Sequence, residues 1–377
     1  MIRRIVFSAL ALLLVVVPSV AAGSQSLADQ RAQHLQRGIN TCCWFAQAPH
    51  HYDTQRLNTY ITPDDIRLIH QLGFDHIRLS IDPDPLVDWQ HGQPDGTAFV
   101  QSLDAVVKLA VEQHLAVIVD IHPEEHYKHA LLAGTDSIAA FDSLWQALAA
   151  HFAPFSDSLV YFEIMNEPEQ TDPARWQAIE LQVAKTIRTA APNNTIIAAG
   201  AHWSGLNDLL VMQPLPLDNV IYTFHDYEPF PFTHQGATWA GAQLVPLRHM
   251  PYPSTPDNVR ANLSQQSTLP GKLFIEQYGL DCWNAERIDD TLDFAAQWSQ
   301  MHHVPVYVGE FGVYKPYAPP ADRAQWIHDM RVGMEKHHLG WAMWEYRDSF
   351  GLVTKQDGKT VVDPAVLSAL GLSGKAH

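Results

Sequence analysis

Basic residues are scarce in this chain. Its 377 residues carry 24 Lys plus Arg against 41 Asp plus Glu, a formal charge of −17 with histidine neutral. Such a surface has no electrostatic hold on a phosphate backbone, so nucleic acid is excluded as a partner. Cysteine is scarcer still: Cys42, Cys43 and Cys282 are all there is. No Cys-x-x-Cys or Cys/His spacing of a zinc finger occurs. The odd count permits one bridge, Cys43 or Cys42 with Cys282, and leaves one thiol over; the alternative is three buried reduced thiols. No strand-like run is followed by GxGxxG or GxxxxGK[ST], which removes support for nucleotide binding. No low-complexity linker and no change of composition follow Gly23, so one domain is expected. No metal or cofactor is expected.

What is present is an ordinary globular composition, 46% hydrophobic and rich in aromatics, with 11 Trp and 12 Tyr. The start is basic (Arg3, Arg4), then apolar from Ile5 to Val17 except for Ser8, then small from Pro18 to Gly23. That pattern reads as a secretory signal over 1–22, too short to span a bilayer comfortably, with an uncleaved anchor as the alternative. Secretion or a periplasmic location, without membrane attachment after cleavage, is the expectation. The remainder divides into a segment 23–36, a domain 37–370 and a tail 371–377.

The most informative stretch is Val160-Tyr161-Phe162-Glu163-Ile164-Met165-Asn166-Glu167-Pro168. Its apolar and aromatic run suits a buried strand, and Asn-Glu-Pro ends it, because proline has no N–H to give a ladder. A carboxylate is thereby placed at the carboxyl end of a buried strand, where parallel α/β proteins carry their chemistry. A second run, Val304-Pro305-Val306-Tyr307-Val308-Gly309-Glu310, repeats the device. Further strand-like runs lie at 37–40, 74–81, 115–123, 195–201, 220–227 and 339–345, with helical patterns between them. Thr62-Pro63-Asp64-Asp65 reads as a helix start and Gly73 as its stop. The segment 228–284, rich in Pro, Gly and Trp, reads as a long irregular loop. Eight alternating strands and helices predict a (β/α)8 barrel, with a doubly wound open sheet as the alternative. A barrel gathers its strand ends on one face, so their polar groups converge on one pocket.

Two facing carboxyl groups are what cleavage of a glycosidic bond requires: one protonated to release the leaving oxygen, the other ionised. In retaining enzymes they stand about 5–5.5 Å apart. At these residues the chain resembles glycoside hydrolase family 5, the cellulase-type retaining barrels. The matching runs are Arg37-Gly38-Ile39-Asn40, Arg78, His122, Asn166-Glu167-Pro168, His225-Asp226-Tyr227, Glu310-Phe311-Gly312 and Trp344. The resemblance implies that Glu167 is the acid/base and Glu310 the nucleophile. It implies that Asn166 binds the sugar 2-hydroxyl, that Arg78 and Tyr227 touch Glu310, and that His122 and His225 line the cleaved subsite. Trp344 would be a stacking floor. Trp44, Trp203, Trp239 and Trp283 are further stacking candidates. Glu163 is read as an interior or ion-paired residue, and Glu276 as a weaker rival nucleophile.

The substrate expected from the resemblance is a β-linked oligo- or polysaccharide, cleaved by a monomer. β-1,4-Glucan comes first, then β-mannan, then β-1,3-glucan or an exopolysaccharide. An idle glycan-binding barrel is the alternative outside catalysis. His122-Pro123-Glu124-Glu125-His126 matches the H-x-x-E-H pattern of inverted zinc peptidases, but that pattern needs a helix and here follows a strand with a proline inside.

Overall fold

The computed structural model describes residues 25–48, 52–170 and 172–373. The expected signal segment, 1–22, lies outside them, as do residues 374–377 of the tail. Eight short parallel strands close on themselves: β1 Arg37–Asn40, β2 His76–Ile81, β3 Ala116–Ile121, β4 Val160–Glu163, β5 Thr195–Ala199, β6 Val220–His225, β7 Val306–Phe311 and β8 Gly340–Met343. β1 pairs with both β2 and β8, which makes the sheet a barrel and removes the open-sheet alternative.

Side-chain alternation divides each strand between two cores. Ile77, Leu79 and Ile81 of β2 join the large cluster between sheet and helices. Ala116, Ile118, Tyr161, Ile197, Ile221, Tyr307 and Ala342 form a smaller cluster inside the barrel. Leu35 joins that inner cluster from below, and Tyr161 donates to the Arg31 carbonyl at 2.8 Å. The short helix Leu27–Ala32 therefore closes the end of the barrel opposite the strand exits. Above the apolar layer the inward positions are polar: Asn40, Arg78, Asp120, Glu163 and Thr223, all buried.

The helices fix where the strands end. Thr62 and Asp65 cap the helix Pro63–Leu72 reciprocally, and Gly73 stops it at φ 99°, a value that favours glycine. Trp145 on the helix Thr135–Phe152 donates to the Ile164 carbonyl at 2.9 Å, and Trp176 on Pro173–Ala190 to the Ala199 carbonyl at 2.8 Å. Each indole N–H thus satisfies a backbone oxygen just where a strand leaves the sheet.

Several elements depart from the sequence pattern. The helices Thr54–Thr59, Pro83–Gln90 and Glu125–Ala133 were not anticipated, nor was the hairpin of β9 Val353–Gln356 and β10 Lys359–Val362. The segment 228–284 holds the helices Phe230–Thr233, Arg260–Gln265 and Leu269–Leu280. In the last of these, Ile275 and Tyr278 are buried while Leu269, Leu273 and Leu280 are exposed. Apolar residues on both faces erase the periodic signal. The bridge between Cys43 and Cys282 does not form, and all three thiols are free. Cys282 is exposed beyond the Leu269–Leu280 helix and contacts the Gly279 carbonyl of that helix, whereas the near neighbour of Cys43 is Cys42. Among the described residues no helix is long and apolar enough to cross a membrane.

Gly38 is required by a close approach: a Cβ there would lie 2.0 Å from the His76 ring. That ring is held on both sides, by Asp75 at 2.6 Å and the Tyr307 hydroxyl at 2.7 Å, so it has little room to retreat. Gly38→Ala is expected to destabilise the fold by about 1–3 kcal/mol through overpacking. Chemical denaturation measures this, and an unchanged midpoint would contradict the packing described.

Candidate active site

Arg78 is fully buried at the centre of the polar layer. Its Nε and Nη2 donate to the two oxygens of Glu163 at 2.8 and 2.7 Å, a bidentate pair. Nη2 also reaches Asp120 at 3.1 Å and Asn166 Oδ1 at 2.9 Å. Nη1 donates to Glu310 Oε1 at 2.7 Å and to Asn40 Oδ1 at 3.0 Å. One guanidinium is shared among three carboxylates. At Asp120 burial pushes the carboxyl up to about 6 even with Arg78 beside it.

Glu310 receives a second donor, the Tyr227 hydroxyl, on Oε2 at 2.8 Å. Both oxygens are then aimed. Strict alternation from Tyr307, which faces the interior, would turn Glu310 outward. The β6–β7 register breaks at this point: Phe224 pairs with Val308, but His225 pairs with Glu310, leaving Gly309 as the extra residue. Such a bulge re-aims the side chain beyond it. Gly309 has the space for this only as glycine, since a Cβ would meet Thr223 Oγ1 at 2.7 Å. Asn40 Nδ2 donates to the Gly309 carbonyl at 3.0 Å and steadies the bulge.

Glu167 lies beyond the end of β4 with φ 46°, in the left-handed region that non-glycine residues rarely adopt. His225 Nδ1 meets its Oε1 at 2.9 Å and Glu310 Oε2 at 3.6 Å. Burial pulls His225 down to about 4, against the opposing pull of Glu310, so the ring is neutral near pH 7. A carboxylate oxygen of Glu167, one of Glu310 and a ring nitrogen of His225 all lie within 4.8 Å of one another. Burial also raises Glu167 above the usual glutamate range, although Lys128 and His122 oppose it.

A chain of hydrogen bonds orients Asn166. His122 Nδ1 donates to Asp120 at 2.9 Å, and burial pulls this histidine down to about 3. Its neutral Nε2 accepts from Asn166 Nδ2 at 3.1 Å, while Asn166 Oδ1 accepts from Arg78. The amide orientation is thereby fixed, and its second N–H is left for a ligand.

These groups open on a pocket of about 490 Å³ lined by Glu167, Glu310, His122, Asn166, Tyr227, Trp344 and Trp239. Cys42, Cys43, Gln47, His234, Glu345, Ser349 and Phe350 complete it. Trp344 lies stacked on His122 at 5.7 Å between ring centres. Trp239 is 61% exposed and stands edge-on to Tyr314 at 5.0 Å. Trp203 is also exposed, and its backbone N–H binds the Pro168 carbonyl next to Glu167. A second pocket of about 470 Å³ opens near Gln36, Tyr307 and His337, at the opposite end, and has no pair of facing carboxylates.

Two aromatic candidates are corrected. Trp44 is buried core, packed on Phe45 at 4.7 Å with its N–H spent on the Leu57 carbonyl at 2.8 Å. Trp283 is buried under Arg287 and lines a different pocket with Phe274. Glu276 is exposed on the Leu269–Leu280 helix, away from the pocket. His122 and His126 share no helical face, since His122 follows β3 while His126 is exposed on the helix Glu125–Ala133 and meets Asp84. Asp120, Gln47 and Glu345 were not singled out from the sequence. Asp120 had a signal, because it sits two residues before His122 and so on the same face of β3.

The family model described as Cellulase (glycosyl hydrolase family 5) matches residues 29–349. Endoglucanase 3 of Fibrobacter succinogenes is 26% identical over 371 residues, covering 93% of this chain; the chain spans 54% of that protein's length. Endoglucanase C of Acetivibrio thermocellus is 25% identical over 337 residues, covering 87% of this chain and 95% of its own. The crystal structure of endoglucanase Cel5A from Thermotoga maritima superposes with a TM-score of 0.73 at 27% identity, covering 91% of this chain and 99% of that one. Complexes of that Cel5A with cellobiose and with mannotriose match as well. With a matching model over most of its length, a closed eight-stranded barrel and its polar strand ends gathered in one pocket, this chain belongs to the cellulase family, glycosyl hydrolase family 5.

Proposed function

We propose that the protein is an exported endo-β-1,4-glucanase that cleaves β-glycosidic bonds with retention, using Glu310 as nucleophile and Glu167 as acid/base. The observation that supports retention is how closely the two acids face each other: His225 Nδ1 lies 2.9 Å from Glu167 Oε1 and 3.6 Å from Glu310 Oε2, and the two carboxylates approach within 4.8 Å at one oxygen of each. Retaining pairs stand about 5–5.5 Å apart, whereas inverting pairs need about 6.5–9.5 Å to admit a water. The choice of β-1,4-glucan rests on the endoglucanases among the relatives, and export rests on the basic, apolar and small pattern of residues 1–22. β-Mannan is the second substrate, on the strength of the mannotriose complex of the Thermotoga enzyme.

In the first step an oxygen of Glu310 attacks the anomeric carbon. The bond to the leaving oxygen breaks, and Glu167 gives that oxygen its proton. Arg78 and Tyr227 hold Glu310 in line from both oxygens. The free N–H of Asn166 meets the sugar 2-hydroxyl. Once the ester forms, the charge of Glu310 is gone and Glu167 ionises more readily. It then takes a proton from water, which attacks the same carbon and frees Glu310.

Assays on soluble β-1,4-glucan, β-mannan and β-1,3-glucan, with the anomer of the first product read by NMR, test both halves. The fastest turnover is expected on β-1,4-glucan with the β-anomer released first. Faster turnover of mannan would overturn the substrate, and an α-anomer the mechanism. Glu310→Ala is expected to abolish turnover. Glu167→Gln is expected to lose about 10²–10⁴-fold on glucan and far less on an aryl glycoside whose leaving group needs no proton. Equal losses on both would contradict the acid role.

The pH profile follows from the raised Glu167. The active form is protonated, so kcat/KM falls as pH rises through its pKa. That alkaline limb is expected above the ordinary glutamate range and absent from Glu167→Gln. Trp239→Ala is expected to raise KM for longer oligosaccharides by about two- to tenfold with kcat little changed. Equal KM values would remove Trp239 from the subsites.

A further inference from the structure

One cluster of ligating side chains in the pocket has no task in this chemistry. Cys42 and Cys43 follow β1, and Glu345 follows β8; the two strands are neighbours, which brings the three together. The two sulfurs lie 2.9 Å apart, and Cys42 Sγ lies 3.1 Å from Gln47 Oε1. Cys43 Sγ lies 3.9 Å from Glu345 Oε2. One ligating atom from each of Cys42, Cys43 and Glu345 falls within 4.8 Å of the others.

A second observation marks the carboxylate. Glu345 is 2% exposed, and its Oε1 accepts the Phe350 N–H at 3.2 Å. Its Oε2 faces the thiols. Among the described residues no Lys, Arg or His touches it; the one cation that acts on it, Lys315, does so through space. The carboxylate oxygen that faces the thiols has no cation in contact with it, so a metal ion could take that place. Two sulfurs, a carboxylate and an amide oxygen are the donor set of a soft, four-coordinate divalent ion, not of magnesium or calcium. Metal–sulfur bonds of about 2.3 Å and metal–oxygen bonds of about 2.0–2.2 Å require the sulfurs to open by roughly an ångström.

We propose that Cys42, Cys43 and Glu345, with Gln47 as the remaining oxygen donor, hold a soft divalent cation of the zinc or cadmium type, and that this ion blocks the sugar pocket. All four line that pocket together with Glu167, Glu310 and Trp344, so an ion there takes the space of a saccharide. Each thiol releases its proton to solvent as it ligates, and no oxidant is needed.

The test uses the reduced full-length enzyme and Cd²⁺ as the added metal, followed by the ultraviolet absorption of the cadmium–thiolate bond and by glycan cleavage. One Cd²⁺ per chain is expected, with cleavage falling as the absorption rises. Cys43→Ser and Glu345→Gln, each checked for native thermal unfolding, are expected to bind at least about tenfold more weakly. Cys282→Ser is expected to behave as the parent. Absence of thiolate absorption overturns the proposal, as does absorption that survives in the Cys42→Ser/Cys43→Ser double variant. Inhibition that persists in that double variant places the ion on Glu167, His225 and Glu310 and overturns the blocking role. The absorption readout does not depend on hydrolysis, so it decides the site even if the glucanase reading fails.

Discussion

The site rests on one buried guanidinium. Among the described residues Arg78 is the one cation in contact with Asp120, Glu163 and Glu310, and it also binds the side-chain oxygens of Asn40 and Asn166. Burying a carboxylate without a partner is prohibitive, and breaking a buried pair costs about 3–5 kcal/mol. Lysine at this position would supply the charge but not the planar fork that contacts three acids at once. The polar layer of the barrel is therefore a single electrostatic unit, in which the residue that aims Glu310 also fixes the amide of Asn166.

Backbone geometry supplies what charge cannot. The extra residue at Gly309 turns Glu310 toward the mouth, and Asn40 binds the carbonyl at that irregularity. The left-handed backbone of Glu167 does the corresponding work across the barrel, with Trp145 holding the carbonyl of Ile164 a few residues earlier. Strain at Glu167 is tolerated because the surrounding hydrogen bonds over-determine it.

Much of this was legible in the residues. Apolar runs that end in polar groups mark strands whose carboxyl ends carry chemistry, and Asn-Glu-Pro ends its strand for a reason visible in proline itself. The need for glycine at Gly38 and Gly309 was not legible, because it comes from the His76 ring and the Thr223 hydroxyl on neighbouring strands. The burial of Trp44 and Trp283 was not legible, because a tryptophan on a core and one on a cleft look alike until the N–H partner is known. A bridge from Cys43 or Cys42 to Cys282 rests on cysteine count in an exported chain, and the count says nothing about distance. The sharing of Arg78 was hidden for a similar reason: Asp120 and Glu163 sit on strands that read as ordinary buried runs, and only barrel closure brings them to the same cation. The helix Leu269–Leu280 escaped because its leucines face both protein and solvent.

The most direct test of the account is the rate at which a fluorinated cellobioside that traps glycosyl-enzymes labels the protein, with the modified residue located by peptide mass spectrometry. The account predicts a label on Glu310 in the parent, and labelling slower by about 10²-fold or more in a folded Arg78→Lys variant that has lost the fork. A label on another residue, or equal rates in the two proteins, would contradict it.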